Sequence, residues 1–547
     1  MIQIQQIKLK IPHTEAAIEK KFCRLLRISP RQVRSWKILR RSLDARRKPE
    51  LYYVYTVEVE TAREHVLRKQ FQKNPSISFR PPLPKYSYRA DGERELSHRP
   101  VIVGTGPAGL FCGYALARMG YRPILLERGA AVEERKRDVE EFWKSGRLLP
   151  DSNVQFGEGG AGTFSDGKLN TLVHDPDGLG REVLRLFAVH GAPDEVLYDS
   201  KPHVGTDRLI QLVRALRESI LQMGGEVRFH ARAADIQISR NPEGDRKVCS
   251  VTVEDTGSSF AEVLKTEVLV LAIGHSSRDT FALLEKKGVP MEPKAFAVGV
   301  RIEHPQTLID ENQYGQTRGS LPAASYKLTT DLPNKRGAYT FCMCPGGYVV
   351  NASSELGRCA VNGMSYSGRD GHNANSAVIV TVRPEDYPGD GPLAGVEFQQ
   401  RLEEAAFRQG KGSVPVQQFG DFCKGQPSLG PGRILPQIKG SYTWGDVRSI
   451  FPEELGVSIE KAVRDFDRKI PGFARDDAPV SGVESRTSSP VRILRDPSLL
   501  ESAVKGVYPC GEGAGYAGGI TSAAMDGLKT ARAVSQIYRP FDKGGNV

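Results

Sequence analysis

The chain of 547 residues is 39% apolar and 26% charged, which is typical of a globular protein with a large buried core. This length exceeds what one core supports, so we expect about two to four domains. No apolar run approaches the roughly 20 residues of a membrane-spanning helix, and the start MIQIQQIKLK lacks a secretory signal. The eight scattered cysteines indicate neither a disulfide framework nor a metal site, which favours the reducing cytoplasm.

The net charge of +11 is concentrated at the start of the chain. Residues 1–50 contain fourteen Lys and Arg against four Asp and Glu, a difference of +10, and the rest of the chain carries only +1. Such a cluster forms either the solvated face of a small domain or a surface for nucleic acid. No RNA-binding or zinc-finger signature accompanies the charge, so the solvated face is favoured and a nucleic-acid partner is the alternative.

The first predicted domain covers residues 1–90. IQIQQIKLKI alternates like a strand, HTEAAIEKKFCRLLRI has apolar residues at helical spacing, and VRSWKILRRSLD and LYYVYTVEVE are typical of strands. These elements predict a small basic α/β domain of the ferredoxin-like type. The Pro-rich, polar segment FRPPLPKYSYRADGERELSHR that follows is typical of a linker.

A second domain is predicted over residues 97–290, and it opens with RPVIVGTGPAGLFCGYALARMGYRPILLERG. A short strand at 100–103 meets a G-x-G-x-x-G turn, a helix follows at 110–119, and a second strand at 123–126 precedes an acid. This context is typical of dinucleotide binding, because the glycines allow the tight turn, the helix N-terminus attracts the diphosphate and the acid binds the ribose. The predicted contacts are Gly104, Gly106, Pro107, Ala108, Gly109, Glu127 and Arg128.

The end of the chain carries another glycine-rich segment, VKGVYPCGEGAGYAGGITSAAMDGLKTA. In it a strand at 506–509 runs into Gly-Glu-Gly at 511–513, and a glycine pair opens a helix at 520–534. The intervening segment, about 291–480, contains many short strands and turns and is predicted to be an inserted substrate domain of mixed α+β structure. Residues 481–547 then complete the domain that begins at residue 97.

Together, the two glycine-rich segments resemble FAD-dependent oxidoreductases of the glutathione-reductase-like superfamily. The resemblance implies a discontinuous, Rossmann-like FAD-binding domain of the α/β class. Its first βαβ unit would bind the ADP half, while the late segment would hold the ribityl chain and aim a helix N-terminus at the flavin. The resemblance also implies contacts from the strand EVRFHARAADI and from the end of TEVLVLAIG. The residues assigned in this way are Ala233, Ala272, Gly274, Gly511, Glu512, Gly518, Gly519 and Ile520.

Longer stretches resemble one bacterial family that is described only as FAD-dependent or NAD(FAD)-utilising dehydrogenases. The likeness covers essentially the entire chain and is carried by FAVGVRIEHPQ (296–306), TFCMCPGGYVVNASSE (340–355), NGMSYSGRDGHNAN (362–375) and VESRTSSPVRI (483–493). It implies FAD as cofactor but no particular substrate. Because the chain shows no second complete dinucleotide fingerprint, NAD(P)H either binds without a domain of its own or is replaced by another electron donor.

The stretch GEGGAGTFSDGKL, residues 157–169, has the G-x-G-x-x-G spacing but lacks the strand, helix and acid that complete a fingerprint. Related flavoproteins place bare backbone at this point against the flavin ring. We therefore predict that the ring lies on Gly159, Gly160, Ala161, Gly162 and Thr163, with Ser165, Asp166 and Lys168 nearby. The alternative is a mobile surface loop.

Three residues are candidates for chemistry. His372 could carry a proton, because histidine as a residue type titrates near neutral pH, although a structural histidine is the commoner case. Cys344 forms a C-x-C pair with Cys342, although a disulfide at this spacing would be strained and cysteine is commonly only a small buried residue. The planar guanidinium of Arg486 suits a substrate carboxylate or phosphate, as do those of Arg301, Arg369 and Arg492, but such residues equally often pair with structural acids.

The sequence thus predicts a cytoplasmic FAD-dependent oxidoreductase that moves hydride through flavin N5 to or from a substrate. An RNA-associated flavoprotein that docks through the basic first domain is one alternative. A non-catalytic flavin-binding protein is another.

Overall fold

The computed structural model describes residues 1–81, 85–240, 242, 244–315, 318–319 and 321–541. Part of the predicted linker, at 82–84, and the last six residues of the predicted 481–547 segment lie outside the described residues. Within the described ranges, no helix is both long and apolar enough to cross a bilayer.

The first part of the chain is a four-stranded antiparallel sheet packed against two helices. Its elements are β1 (Ile2–Lys10), α1 (Glu15–Leu26), β2 (Val33–Arg47), β3 (Glu50–Thr61), α2 (Glu64–Phe71) and β4 (Ile77–Phe79). The strand order is β2-β3-β1-β4. Alternation along β1 places Ile2 and Ile4 in one buried core with Phe22 of α1 and Leu67 of α2.

The next part supplies four strands of a parallel sheet, a three-stranded antiparallel sheet of order β10-β9-β8, and five helices. Helix α3 begins at a proline, whose fixed φ and missing N–H suit the first helical turn. The elements are β5 (Val101–Val103), α3 (Pro107–Arg118), β6 (Ile124–Leu126), α4 (Val132–Ser145), α5 (Leu179–Val189), α6 (Thr206–Gln222), β7 (Glu226–Arg228), β8 (Ala231–Arg240), β9 (Arg246–Asp255), β10 (Ala261–Lys265), β11 (Leu269–Leu271) and α7 (Arg278–Lys286).

The middle of the chain builds a seven-stranded sheet of order β14-β15-β18-β13-β22-β19-β21 and a three-stranded sheet of order β17-β16-β20. The elements are β12 (Met291–Pro293), β13 (Phe296–Pro305), α8 (Gln306–Tyr314), β14 (Thr329–Asp331), β15 (Gly337–Cys344), β16 (Tyr348–Asn351), β17 (Val361–Met364), β18 (Asn373–Val382), α9 (Ala394–Gln409), β19 (Val414–Gln418), α10 (Phe419–Lys424), β20 (Ile438–Lys439), β21 (Tyr442–Trp444), α11 (Glu453–Asp467) and β22 (Pro479–Glu484). Strand β22 crosses the predicted border between residues 480 and 481, so the larger sheet continues to Glu484.

The chain ends with β23 (Val491–Ile493), β24 (Val507–Pro509) and α12 (Ile520–Ile537). Strand β23 pairs with β12, and β24 joins the parallel sheet, whose order is β24-β11-β5-β6-β7. One parallel sheet therefore combines strands from before and after the middle part of the chain.

Both faces of this parallel sheet are covered, which explains why its strands are continuous apolar runs. Ile102 and Val270 point into a core that also contains residues of α3 and α12. Val101 and Leu269, one position earlier in each strand, point into the opposite core with residues of β8 and β9. The carboxyl ends of the strands meet at one edge of the sheet.

Candidate functional site

A cavity of about 820 Å³ lies along the carboxyl edge of the parallel sheet. The residues that directly follow β5, β6, β11 and β24 all line it: Gly104, Glu127, Ala272 and Cys510. The crevice outside the carboxyl ends of the strands is where open parallel sheets bind their ligands. At its far side the cavity reaches Cys342 in β15, so the middle part of the chain contributes to its wall.

The turn between β5 and α3 requires glycine at two positions. Gly104 has a φ of 98°, and a Cβ there would overlap the carbonyl oxygen of Ala272. A Cβ on Gly109 would overlap the carbonyl oxygen of Gly104, because α3 packs directly on the turn. Gly106 instead borders the cavity, and it leaves bare backbone at the N-terminus of α3, where free N–H groups and the helix dipole favour a diphosphate.

Glu127 is buried beside this turn and already holds four hydrogen bonds. Its carboxylate accepts from the backbone N–H groups of Thr105, Gly129 and Gly157, each at 3.0 Å, and from the Thr105 hydroxyl at 2.7 Å. These donors fill about four acceptor positions, which is the capacity of a carboxylate. Glu127 therefore braces the turn against the glycine-rich segment, and a ribose hydroxyl would have to replace one of these bonds.

The glycine-rich segment folds as a short 3₁₀ helix, Gly160–Phe164, whose residues Thr163 and Phe164 are buried. It is fixed by Arg135 of α4, whose side chain is fully buried and whose pKa is lowered to about 10 by burial. The guanidinium donates to five backbone carbonyls, those of Asn153, Val154, Gly157, Glu158 and Gly160, at 2.7–3.2 Å. These hydrogen bonds from Arg135 hold the backbone of the glycine-rich segment in place.

The late glycine-rich segment also borders the cavity and leaves open space there. A Cβ added to Gly518 or Gly519, directly before α12, would meet no atom within 4 Å, and the same holds for Gly274 after β11. All three glycines line the cavity, so side chains at these positions would occupy it. Gly160 lines the same cavity, and bare backbone of this kind suits the close approach of a flat cofactor ring.

Most of the predicted cofactor residues meet in this one cavity. Four do not line it: Gly109, Gly159, Thr163 and Gly511 lie behind the wall and shape its backbone. The residues that line it are Gly104, Gly106, Pro107, Ala108, Glu127, Arg128, Gly160, Ala161, Gly162, Ala233, Ala272, Gly274, Glu512, Gly518, Gly519 and Ile520.

The three predicted chemical residues lie in different surroundings. His372 is exposed and outside the cavity lining, where its backbone N–H donates to Gln437 at 3.0 Å. Cys344 is fully buried behind the cavity wall. Arg486 lines the cavity, but its guanidinium is held by the Glu403 carboxylate at 2.9 and 2.7 Å and by the Ser354 hydroxyl at 2.6 Å.

Sequence reasoning missed Glu484, a buried acid at the end of β22 that lines the cavity. Burial raises its pKa to about 7, although the guanidinium of Arg301, which donates to it at 2.8 Å, opposes the rise. The signal that could have found the pair is charge in two mainly apolar strands: the acid that ends PVSGVE, and the arginine of FAVGVRIEH, which also carries Glu303 and His304. Charges in such runs are buried only when they are paired.

Comparisons with known proteins show which family the chain resembles. Residues 295–487 match a family described as "FAD-dependent protein, C-terminal domain-like", and residues 1–60 match a domain of unknown function. The chain is 46% identical over 546 residues to an "Uncharacterized protein" of Clostridium beijerinckii, with 99% of each chain covered.

Two solved structures share a general similarity with the chain. Glycine oxidase from Bacillus cereus is 12% identical, covering 80% of this chain and 95% of that one, with a TM-score of 0.36. Glycerol-3-phosphate dehydrogenase from Bacillus halodurans, complexed with FAD, is 11% identical, covering 84% and 70%, with a TM-score of 0.35.

The parallel sheet and the matched domain define an FAD-dependent flavoprotein, which confirms the prediction of FAD as cofactor. Within that class the chain belongs to the family of the Clostridium beijerinckii protein, to which it is similar from end to end.

Proposed function

We propose that this flavoprotein is an oxidoreductase that transfers hydride between flavin N5 and a substrate bound against the middle part of the chain. One observation carries the proposal: a continuous cavity joins the N-terminus of α3, the N-terminus of α12 and polar side chains of the middle part. The comparisons favour neither an RNA-associated protein nor a non-catalytic flavin-binding protein. The segments 97–290 and 481–547 would bind the cofactor, and 291–480, extended to Glu484, would bind the substrate.

In this proposal the chain would hold FAD in an extended form. The α3 N-terminus at Gly106 would bind the diphosphate, and Ala233 of β8 would lie beside the adenine. The flavin ring would lie between Gly160–Gly162 and the open glycine pair before α12. The helix dipole of α12 would stabilise negative charge on the pyrimidine side.

Bound FAD supplies the hydride chemistry, so the protein has to orient a substrate and handle a proton. Glu484, with its pKa raised to about 7 by burial, can accept a proton from a substrate as hydride leaves. Lys168 and Asn362 line the same end of the cavity and can orient a polar or anionic group. The guanidinium of Arg486 is held by Glu403, so Arg486 stabilises the cavity wall and does not bind the substrate in this proposal.

The proposal is tested by purifying the protein, recording its visible spectrum, and adding NADH and NADPH separately without oxygen. We expect a yellow protein. Its flavin absorbance should bleach when NADH, NADPH or a reducing substrate is added. A yellow protein that no donor or candidate substrate reduces would contradict an oxidoreductase and would favour a flavin-binding protein without catalysis.

A further inference from the structure

Cys342 is turned into the cavity by an irregularity in β15. The register between β15 and β18 shifts between Phe341 and Cys344, as in a β-bulge, and Cys342 has a φ of 42°. Bulges re-aim side chains, and left-handed backbone at a residue other than glycine is uncommon and concentrates at functional sites. As a result Cys342 lines the cavity, while Met343 and Cys344 stay buried.

Two cations surround this part of β15. The buried guanidinium of Arg301 donates to the carbonyl oxygen of Cys342 at 3.1 Å, and its Nη1 lies 3.9 Å from the sulfur of Cys344. The Lys168 ammonium donates to the carbonyl oxygen of Met343. Positive charge at these positions favours a thiolate over a thiol.

The pKa values of the two cysteines are shifted in opposite directions. A hydrogen bond from the Cys344 thiol, helped by Arg301 and Lys168, lowers the pKa of Cys342, while burial raises the pKa of Cys344. The Cys344 sulfur lies 3.1 Å from the Cys342 carbonyl oxygen, which can accept the thiol proton in place of the Cys342 sulfur. These surroundings favour the thiolate form at Cys342, which lines the cavity, and the thiol form at Cys344, which is buried.

Cys342 lies at the end of the cavity where α12 begins. Lys168, which donates to the carbonyl oxygen next to Cys342 in the chain, is followed by Leu169, and the carbonyl oxygen of Leu169 accepts from the hydroxyl of Thr521 in the first turn of α12 at 2.7 Å. Glu512 lines the cavity just before the Gly518–Gly519 pair. This is the end at which the proposed function places the flavin ring.

We propose that Cys342 and Cys344 form a redox pair that exchanges two electrons with the flavin, with Cys342 as the flavin-facing sulfur. The Cys342 thiolate and the Cys344 thiol together lose two electrons and one proton, which the oxidised flavin takes up, and an S–S bond forms between them. In the reverse direction the S–S bond breaks and the same electrons and proton return. A disulfide at C-x-C spacing is strained and hence readily reduced, which suits a transfer site.

This inference rests on the proposed flavin site and predicts how many electrons the protein stores. Anaerobic titration with dithionite should take four electrons per FAD in ferricyanide-oxidised wild type, two for the flavin and two for the disulfide. Cys342→Ser and Cys344→Ser should each take two. Cys249→Ser, which alters an exposed cysteine on β9, should still take four.

A second readout does not depend on the flavin. After oxidation and denaturation, six of the eight cysteines should react with a thiol reagent, and mass spectrometry should find residues 342 and 344 joined. After reduction all eight should react. Bound FAD and a wild-type melting temperature show that a variant is folded. If a variant does not fold, the number of reactive thiols in the wild type tests the redox pair instead.

Eight reactive thiols in both states, together with an uptake of two electrons per FAD, would overturn the redox pair while leaving the oxidoreductase intact. A wild-type protein that binds no FAD would contradict the proposed function instead. In that case a 342–344 disulfide found by mass spectrometry would still support the pairing of the two sulfurs.

Discussion

Gly518 is the residue that most directly tests the shape of the proposed ring site. A Cβ there would meet no atom within 4 Å, so a larger side chain would enter the cavity without disturbing the protein around it. We expect Gly518→Leu to keep the melting temperature and to weaken FAD binding by at least about tenfold, since one tenfold step is only about 1.4 kcal/mol. Titration of the deflavinated protein with FAD measures the change.

The matched control is Gly430→Leu, at another glycine with open space around it but outside the cavity lining. It should bind FAD as the wild type does. If Gly518→Leu binds FAD with unchanged affinity, the ring does not lie on this wall.

Glu484 gives the site a pH dependence. Because burial raises its pKa to about 7, the carboxylate that accepts a proton is depleted below that pH. We expect the rate of flavin reduction by substrate to rise with pH up to about 7, with a limiting slope of about tenfold per pH unit. In Glu484→Gln the flavin should be reduced slowly, and the rate should not rise with pH in this way. Glu397→Gln, at an exposed residue of α9, should keep the wild-type profile.

At the residue scale, the glycine fingerprint was readable because its requirements are local. The positive φ of Gly104 belongs to the turn, and a Cβ on Gly109 would overlap the carbonyl oxygen of Gly104 in the same turn. Glu484 and Cys342 were not readable in this way, because one depends on pairing with a distant strand and the other on a bulge. His372 had a suitable residue type, but the fold places it at the surface.

At the scale of elements, α4 holds the glycine-rich 3₁₀ helix through one side chain. Arg135→Met would leave five backbone carbonyls without their donor, and a lost buried hydrogen-bond partner costs about 1–3 kcal/mol. We expect a lower melting temperature and loss of bound FAD. Arg135→Lys keeps the charge with three donors and should recover only part of both.

A variant Arg135→Met that retains FAD at wild-type affinity would show that this 3₁₀ helix does not support the cofactor. Arg137→Met, on the same helix, is the comparison; its side chain is exposed, so both properties should be unchanged.

The sequence predicted β5, α3 and β6 closely, since apolar strands and a glycine turn give strong local signals. The order of strands in the large sheet of the middle part could not be predicted. It depends on pairings between β13, β18 and β22, which are far apart in the sequence and meet only through tertiary packing.

At the scale of the whole molecule, one buried ion-pair cluster joins the cofactor-binding part to the middle part. Glu403 of α9 accepts from Arg278 of α7 at 2.8 and 2.9 Å and from Arg486 at 2.9 and 2.7 Å. Breaking a buried pair by removing one charge costs about 3–5 kcal/mol, because the partner charges stay buried. We expect Glu403→Gln to lower the free energy of unfolding by about this amount at pH 7.

The difference in the free energy of unfolding between the wild type and Glu403→Gln should also depend on pH in a defined direction. Burial alone would raise the pKa of Glu403, but the two guanidiniums hold it well below its ordinary value of 4.5. The folded state therefore binds fewer protons than the unfolded state at acidic pH, and the stabilisation is lost as pH falls below about 4.5. Thermal unfolding of both proteins between pH 7 and pH 3 should show the gap in melting temperature narrowing; a constant gap would contradict the ionic contribution.

The central claim is that two distant segments of the chain close around one extended FAD molecule, with the ADP half at α3 and the ring at α12. Calorimetric titration of the deflavinated protein tests it most directly. We predict one FAD bound per chain, with ADP alone competing for the site because it occupies the α3 end. Absence of saturable FAD binding, or FAD binding that excess ADP leaves unchanged, would contradict the claim.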